Sequence, residues 1–154
     1  MKKHVVMLIT IVIMVFLLVS PFLFVEKQVD WKTMEKTVSE TIDLKEYETL
    51  TDQEVKKFYG LTKSMVDQAL VYKHKDAMRA EEIAVMKLND AQDQKMVVDA
   101  ILARKEKKYN TFKGYGQAQC DLIEDGVLLK NEQYVIFIVE PKATVLKKRI
   151  RQLF

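Results

Sequence analysis

The chain has 154 residues, a formal net charge of +3 and a single cysteine. This length accommodates one domain beside a short N-terminal segment, and a lone cysteine excludes an intrachain disulfide. Lys2 and Lys3 supply two of the three excess positive charges, so the part from Glu26 onward carries a net charge of only +1. A near-neutral chain without a basic stripe of interleaved aromatic residues is not typical of a nucleic-acid-binding domain.

An uncharged, apolar segment occupies residues 5–25, with the sequence VVMLITIVIMVFLLVSPFLFV. As a helix it would be about 31 Å long, which matches the ~30 Å hydrocarbon core of a bilayer. Lys2 and Lys3 precede the segment, so we expect residues 1–4 in the cytoplasm and the following domain outside the cell membrane. A cleaved signal peptide is the alternative, but the apolar run is long and 20–24 offers bulky residues where a cleavage site needs small ones.

The next part, 26–50, is predicted as a linker containing a helix. Trp31, Met34, Val38 and Ile42 recur at helical spacing, and we expect this stripe to pack on the domain. A helix lying on the membrane surface is the alternative. From Thr51 onward we expect a folded domain that extends to residue 154.

Capping residues delimit the first helix of this domain. Thr51 and Glu54 form the spacing of a capping box, and Gly60 can end the helix in the left-handed conformation. Strands are then predicted at 69–72 and 82–88 from their short apolar patterns. The longest helix is expected over 91–113, with an apolar face formed by Val98, Ile101, Leu102, Tyr109 and Phe112.

The C-terminal third is also predicted to alternate between helices and strands. One or two helical turns are expected at 117–124, strands at 126–130 and 133–139, and a last helix at 142–153. The strand at 133–139 is the most apolar, so we place it centrally in the sheet. The predicted fold class is therefore α+β, with a four-stranded antiparallel sheet, helices packed on one face and a ββαββα core.

Four stretches carry a resemblance to a known family: KFYGL at 57–61, AEEIAVMK at 80–87, FKGY at 112–115 and NEQYVIFIV at 131–139. The chain resembles an uncharacterised family of small extracytoplasmic bacterial domains, mostly from Gram-positive anaerobes and often lipoproteins, described only as a domain of unknown function. The resemblance implies no established activity and no catalytic residues. It implies a loose association with cell-envelope polysaccharide O-acylation. Because this chain has no lipidation cysteine, an uncleaved helix would replace the lipid.

The common catalytic and metal-binding motifs are missing. His74 is the only histidine after the apolar segment, and the sequence contains no His-Glu-x-x-His, Cys-x-x-Cys, Gly-x-Ser-x-Gly or calcium loop. We therefore expect no catalytic residue, no cofactor and no metal. The carboxylates that could serve an enzyme are Glu82 and the pair Glu124 and Asp125, although Glu82 is more simply explained by a structural partner such as a lysine or a helix N-terminus.

Basic residues form the other candidate site. The last helix carries the candidate contacts to an anionic surface: Lys147, Lys148, Arg149 and Arg151. An ordinary solvated face, with cations that favour a helix C-terminus, explains the same pattern.

We therefore expect a single-pass, extracytoplasmic and non-enzymatic interaction or accessory domain in envelope polymer modification or assembly. Its expected partner is an envelope-modifying membrane protein such as an O-acyltransferase. The alternatives are a carboxylate-based enzyme acting on an envelope polymer, and a module that binds anionic lipid or wall polymer.

Overall fold

A computed structural model describes residues 2–23 and 28–154, and in the first helix it describes the side chains of 7–16 and 18. The helices are α1 (Lys2–Leu23), α2 (Trp31–Thr41), α3 (Asp52–Tyr59), α4 (Gln94–Phe112), α5 (Gln117–Glu124) and α6 (Ala143–Arg151). The strands are β1 (Tyr47–Thr49), β2 (Val66–His74), β3 (Glu82–Leu88), β4 (Val127–Lys130) and β5 (Tyr134–Val139).

Helix α1 covers most of the predicted membrane-spanning segment, whose last residues, 24 and 25, lie outside the described residues. Among the described residues, no helix combines the length and apolar character needed to cross a membrane.

The sheet is antiparallel and has five strands in the order β1-β2-β3-β5-β4. The prediction of four strands is therefore wrong, because it omits β1. Three residues are too few to show a period in sequence, and β1 becomes a strand only by pairing Tyr47, Glu48 and Thr49 with the end of β2. The two predicted hairpins, β2-β3 and β4-β5, are confirmed, and β5 lies inside the sheet between β3 and β4.

Helices cover both faces of the sheet, which corrects the expectation of one covered face. Alternate residues of β3 and β5 enter two separate apolar clusters: Ala84 and Phe137 belong to one, and Ile83 and Ile136 to the other. Residues of α3, α4 and α5 complete the first cluster, and residues of α2 and α6 complete the second. Two buried faces explain why β3 and β5 read as continuous apolar runs.

Local sequence determines α3 as predicted. The Thr51 side chain accepts a hydrogen bond from the Glu54 amide, while the Glu54 carboxylate accepts one from the Thr51 amide at 2.8 Å. Gly60 follows with φ +70°, in the left-handed region that suits glycine. The stripe of α2 also packs on the domain, because Met34 and Val38 are fully buried in the second cluster.

The inward face of α4 differs from the predicted one. Its buried residues are Val97, Ile101, Arg104, Lys108 and Phe112. Leu102, which was predicted to face inward, is 48% exposed. The predicted face is confirmed at Ile101 and Phe112, but the apolar pattern missed two inward positions because they hold cations.

Candidate functional site

The most distinctive polar feature is a buried cluster of four side chains, here called the Glu82 cluster: Tyr59, Glu82, Arg104 and Lys108. Glu82 begins β3 and is 0% exposed. Arg104 and Lys108 are four residues apart on α4, so both reach the same part of the sheet. Tyr59 ends α3 and closes the cluster from a third element.

The carboxylate of Glu82 receives hydrogen bonds on both oxygens. Arg104 donates from Nε to Oε1 at 3.0 Å and from Nη2 to Oε2 at 2.7 Å. Lys108 Nζ donates to Oε2 at 2.9 Å, and the Tyr59 hydroxyl donates to Oε1. Four accepted bonds use the full acceptor capacity of a carboxylate, and the bidentate guanidinium contact is among the strongest arrangements available to it.

These contacts hold Glu82 in its ionised form. Burial acts to raise the pKa of Glu82, but the hydrogen bonds from Arg104, the charge of Lys108 and the Tyr59 hydroxyl outweigh burial and lower it from 4.5 to about 2. Burial lowers the pKa of Lys108, although Glu82 opposes that shift. An ionised carboxylate with no free acceptor is poorly suited to act as a general acid or base.

A groove lies beside the Glu82 cluster and is here called the basic groove. It has a volume of about 230 Å³ and is lined by the basic side chains Lys73, Arg79, Arg104 and Lys108, together with Phe58, His74, Asp76, Ala77, Thr111 and Phe112. The Arg104 guanidinium stacks over the Phe58 ring, 4.7 Å from its centroid. Arg104 and Lys108 therefore belong both to the buried cluster and to the wall of an open groove.

The four residues predicted on the last helix differ in exposure. Lys148 and Arg151 are exposed, whereas Lys147 and Arg149 are half-buried. Arg149 donates to Thr41 Oγ1 at 3.0 Å and to Glu40 Oε2 at 3.3 Å, so it connects α6 to α2. Half of the predicted set is thus available to an external anion.

The other candidate residues lie apart from the basic groove or have structural partners. Glu124 and Asp125 are both exposed at the end of α5. Cys120 is buried, as expected for a lone cysteine. His74 does line the groove, and its Nδ1 accepts a hydrogen bond from the Asp76 amide at 3.0 Å. Within residues 2–23 and 28–154, no group of His, Cys, Asp or Glu side chains is arranged to hold a metal ion.

Sequence reasoning found Glu82 and a lysine as its expected partner, but it missed Arg104 and Tyr59. The spacing Ile101, Arg104, Lys108 and Phe112 could have indicated a mixed inward face, since these positions share one side of a helix. What sequence does not reveal is the carboxylate that faces them, 22 residues from Arg104 along the chain.

Comparison with protein families identifies the domain. Residues 40–140 match the family described as Domain of unknown function (DUF4358). The chain belongs to this family. The matched range of the DUF4358 domain contains β1 to β5 and α3 to α5, and with them all four residues of the Glu82 cluster. No curated protein and no solved structure matches the chain.

Proposed function

We propose that this chain is a non-enzymatic DUF4358 interaction domain that its N-terminal segment holds on the extracytoplasmic side of the cell membrane. In this role it is an accessory to cell-envelope polymer modification or assembly. The observation that carries the proposal is the exposed apolar surface of α1. Its described apolar side chains, from Met7 to Phe16 and at Leu18, are 53–65% exposed. Exposed apolar surface on this scale marks an interaction with a membrane or a partner.

The membrane part of the proposal is tested by fractionating cells that express the full chain. We expect the protein to remain in the membrane pellet after an alkaline wash. Two lysines in the apolar segment, V12K with V15K, should release it, because a lysine near the bilayer centre costs about 3 kcal/mol. The matched control is V145K, which changes an apolar side chain that is 53% exposed on α6. Release of the control, or retention of the double variant, would contradict the anchor.

The orientation is tested with a C-terminal alkaline phosphatase fusion, which is active only outside the cytoplasm. We expect activity, since Lys2 and Lys3 directly precede the segment. An inactive phosphatase in an otherwise stable fusion would place the domain in the cytoplasm and overturn this part of the proposal.

The accessory role is supported by the state of Glu82 and by the resemblance of the sequence to envelope-associated domains. An ionised, fully hydrogen-bonded Glu82 leaves no reactive carboxylate in the buried cluster. Crosslinking of the tagged full-length chain in cells, followed by mass spectrometry, tests the role. We expect a membrane-bound envelope-modifying enzyme, such as an O-acyltransferase, to co-purify. Turnover of an envelope polymer by the purified chain, abolished by E124Q or D125N, would instead establish the enzymatic alternative.

One observation favours a second function, the binding of anionic lipid or wall polymer through α6. Lys148 and Arg151 are exposed on the same helix and lie three residues apart. Reversal of both charges, K148E with R151E, should then reduce retention on isolated cell walls or on anionic vesicles. Unchanged retention would exclude α6 as the binding surface.

A further inference from the structure

The charges around the basic groove do not balance locally. Lys73 lies 2.6 Å from its own carboxylate partner, Glu48. Arg79 likewise forms a bidentate pair with Glu81. At the base of the groove, by contrast, the cations outnumber the carboxylates.

Arg104 and Lys108 are 8% and 6% exposed and share one carboxylate, Glu82. One positive charge is therefore in excess in a poorly solvated place, where an additional anion gains the most electrostatic stabilisation.

Hydrogen-bond donors remain available at the same point. Arg104 contacts Glu82 through Nε and Nη2, so the other N–H groups of its guanidinium are not used by Glu82. Lys108 donates to Ala80 O and to Glu82 Oε2, which leaves one N–H of its ammonium for a further acceptor. Both side chains line the groove, and both can donate into it.

The dimensions favour a small anionic group. A volume of about 230 Å³ is below the ~300–1,000 Å³ of pockets for drug-sized ligands. Phe58 and Phe112 supply apolar walls that weaken the competition from water. Asp76 is the one carboxylate among the lining residues. It is exposed, and its charge attracts that of Arg79 at the groove's edge.

We infer that the basic groove binds a phosphate group, with Arg104 and Lys108 as its direct hydrogen-bond donors and Lys73 and Arg79 as flanking cations. The Arg104 fork matches phosphate geometry, and Lys108 adds a point charge beside it. The group can belong to a free phosphate or to a phosphate ester, for which glycerol phosphate serves as the probe. The inference deepens the proposed interaction function by naming the chemistry that the domain recognises.

The first test uses the full-length protein in a neutral detergent and inorganic phosphate as the probe. Calorimetric titration should show saturable binding with a dissociation constant on the order of 1 mM. Phosphate should also raise the melting temperature in a saturable way, whereas chloride at equal ionic strength should not, because only a ligand of the folded state stabilises by mass action. Equal effects of phosphate and chloride would overturn the inference without any variant.

Variants then locate the site. K108M should weaken phosphate binding at least ~10-fold, which corresponds to the loss of about one good ionic contact. K130M removes the same charge from an exposed position at the end of β4, outside the groove lining, and should bind phosphate as the wild type does. If K108M does not fold, two milder variants replace it. K108R preserves the positive charge, whereas K73Q removes a flanking cation. Of these two, only K73Q should weaken phosphate binding. Equal binding by K73Q, K130M and the wild type would refute the location.

Two further comparisons distinguish a phosphate ester from the free ion, and this inference from the proposed function. Tighter binding of glycerol phosphate than of inorganic phosphate would identify an ester, whereas the reverse order would identify the free ion. Phosphate binding without membrane retention of the chain would overturn the proposed function and leave this inference intact. Membrane retention and partner crosslinking without phosphate binding would do the opposite.

Discussion

Replacing Glu82 by glutamine tests the buried cluster most directly. The amide keeps the shape of the side chain but removes the negative charge that Arg104 and Lys108 share. Two cations would then face each other in a site where both are less than 10% exposed. Removal of one partner from a buried ion pair typically costs 3–5 kcal/mol, and we expect the E82Q variant to lose free energy of unfolding in this range.

The pKa of Glu82 gives an independent magnitude and a pH signature. The folded-state pKa is about 2 against an ordinary 4.5, which corresponds to about 3 kcal/mol at ~1.4 kcal/mol per pKa unit. Because the folded pKa is the lower one, this stabilisation is fully present above pH 4.5 and is lost as the pH falls from 4.5 towards 2. The difference between wild type and E82Q should therefore be constant above pH 5 and shrink below it.

Urea denaturation of the full chain in detergent measures both effects. Trp31 is the only tryptophan. It packs against the second apolar cluster, which α2 and α6 complete on the opposite side of the sheet from Glu82. Its fluorescence therefore reports global unfolding. The matched control is E48Q, which breaks the partly exposed Lys73–Glu48 pair and should cost less than about 1 kcal/mol. The reasoning is refuted if E82Q costs no more than E48Q, or if the difference from wild type does not change with pH.

Three further substitutions test local features by the same urea assay. T51A removes the capping-box acceptor and should lower the free energy of unfolding by about 1 kcal/mol. G126A would place a methyl group 2.9 Å from the Ile123 carbonyl oxygen and should cost about 1–3 kcal/mol, with a lower melting temperature in calorimetry. Y134F loses the buried hydroxyl that donates to Val29 O at 2.9 Å, and we expect a cost of about 1–3 kcal/mol, because the carbonyl is left without this donor.

Matched controls exist for two of these changes. T111A alters an exposed threonine on α4 and should be close to neutral, since alanine is the better helix former. Y115F alters a tyrosine that is 60% exposed and should also be neutral. If either control costs as much as its test variant, the cap or the buried hydroxyl does not supply the stabilisation assigned to it.

Much of the secondary structure could be predicted because its causes are local. The capping box and Gly60 delimit α3 within ten residues of sequence, and the apolar run at 82–88 coincides with β3. Strand β2 was predicted at only 69–72 but extends over Val66–His74. Four of the five residues that the prediction omitted are polar, and pairing with β1 and β3 holds them in extended conformation, so no local pattern reveals them.

The candidate site was only partly predictable for a related reason. Glu82 was recognised as a carboxylate in a buried strand, and a lysine partner was expected. The actual set includes Arg104 and Tyr59, which come from two helices at separations of 22 and 23 residues. Hydrophobic periodicity treats an arginine as a surface residue, so it assigned Ile101 and Phe112 to the inward face of α4 but left out Arg104 and Lys108.

The sequence by itself determined an uncharged N-terminal segment, an α+β domain with two hairpins, and the absence of the common catalytic motifs. These depend on composition and on neighbours within a few residues. Only the tertiary structure decided that a fifth strand joins the sheet, that helices cover both faces, and that Arg104 and Lys108 enter the interior. A cation is stable in the interior only if a distant carboxylate meets it there, and that meeting is a property of the fold.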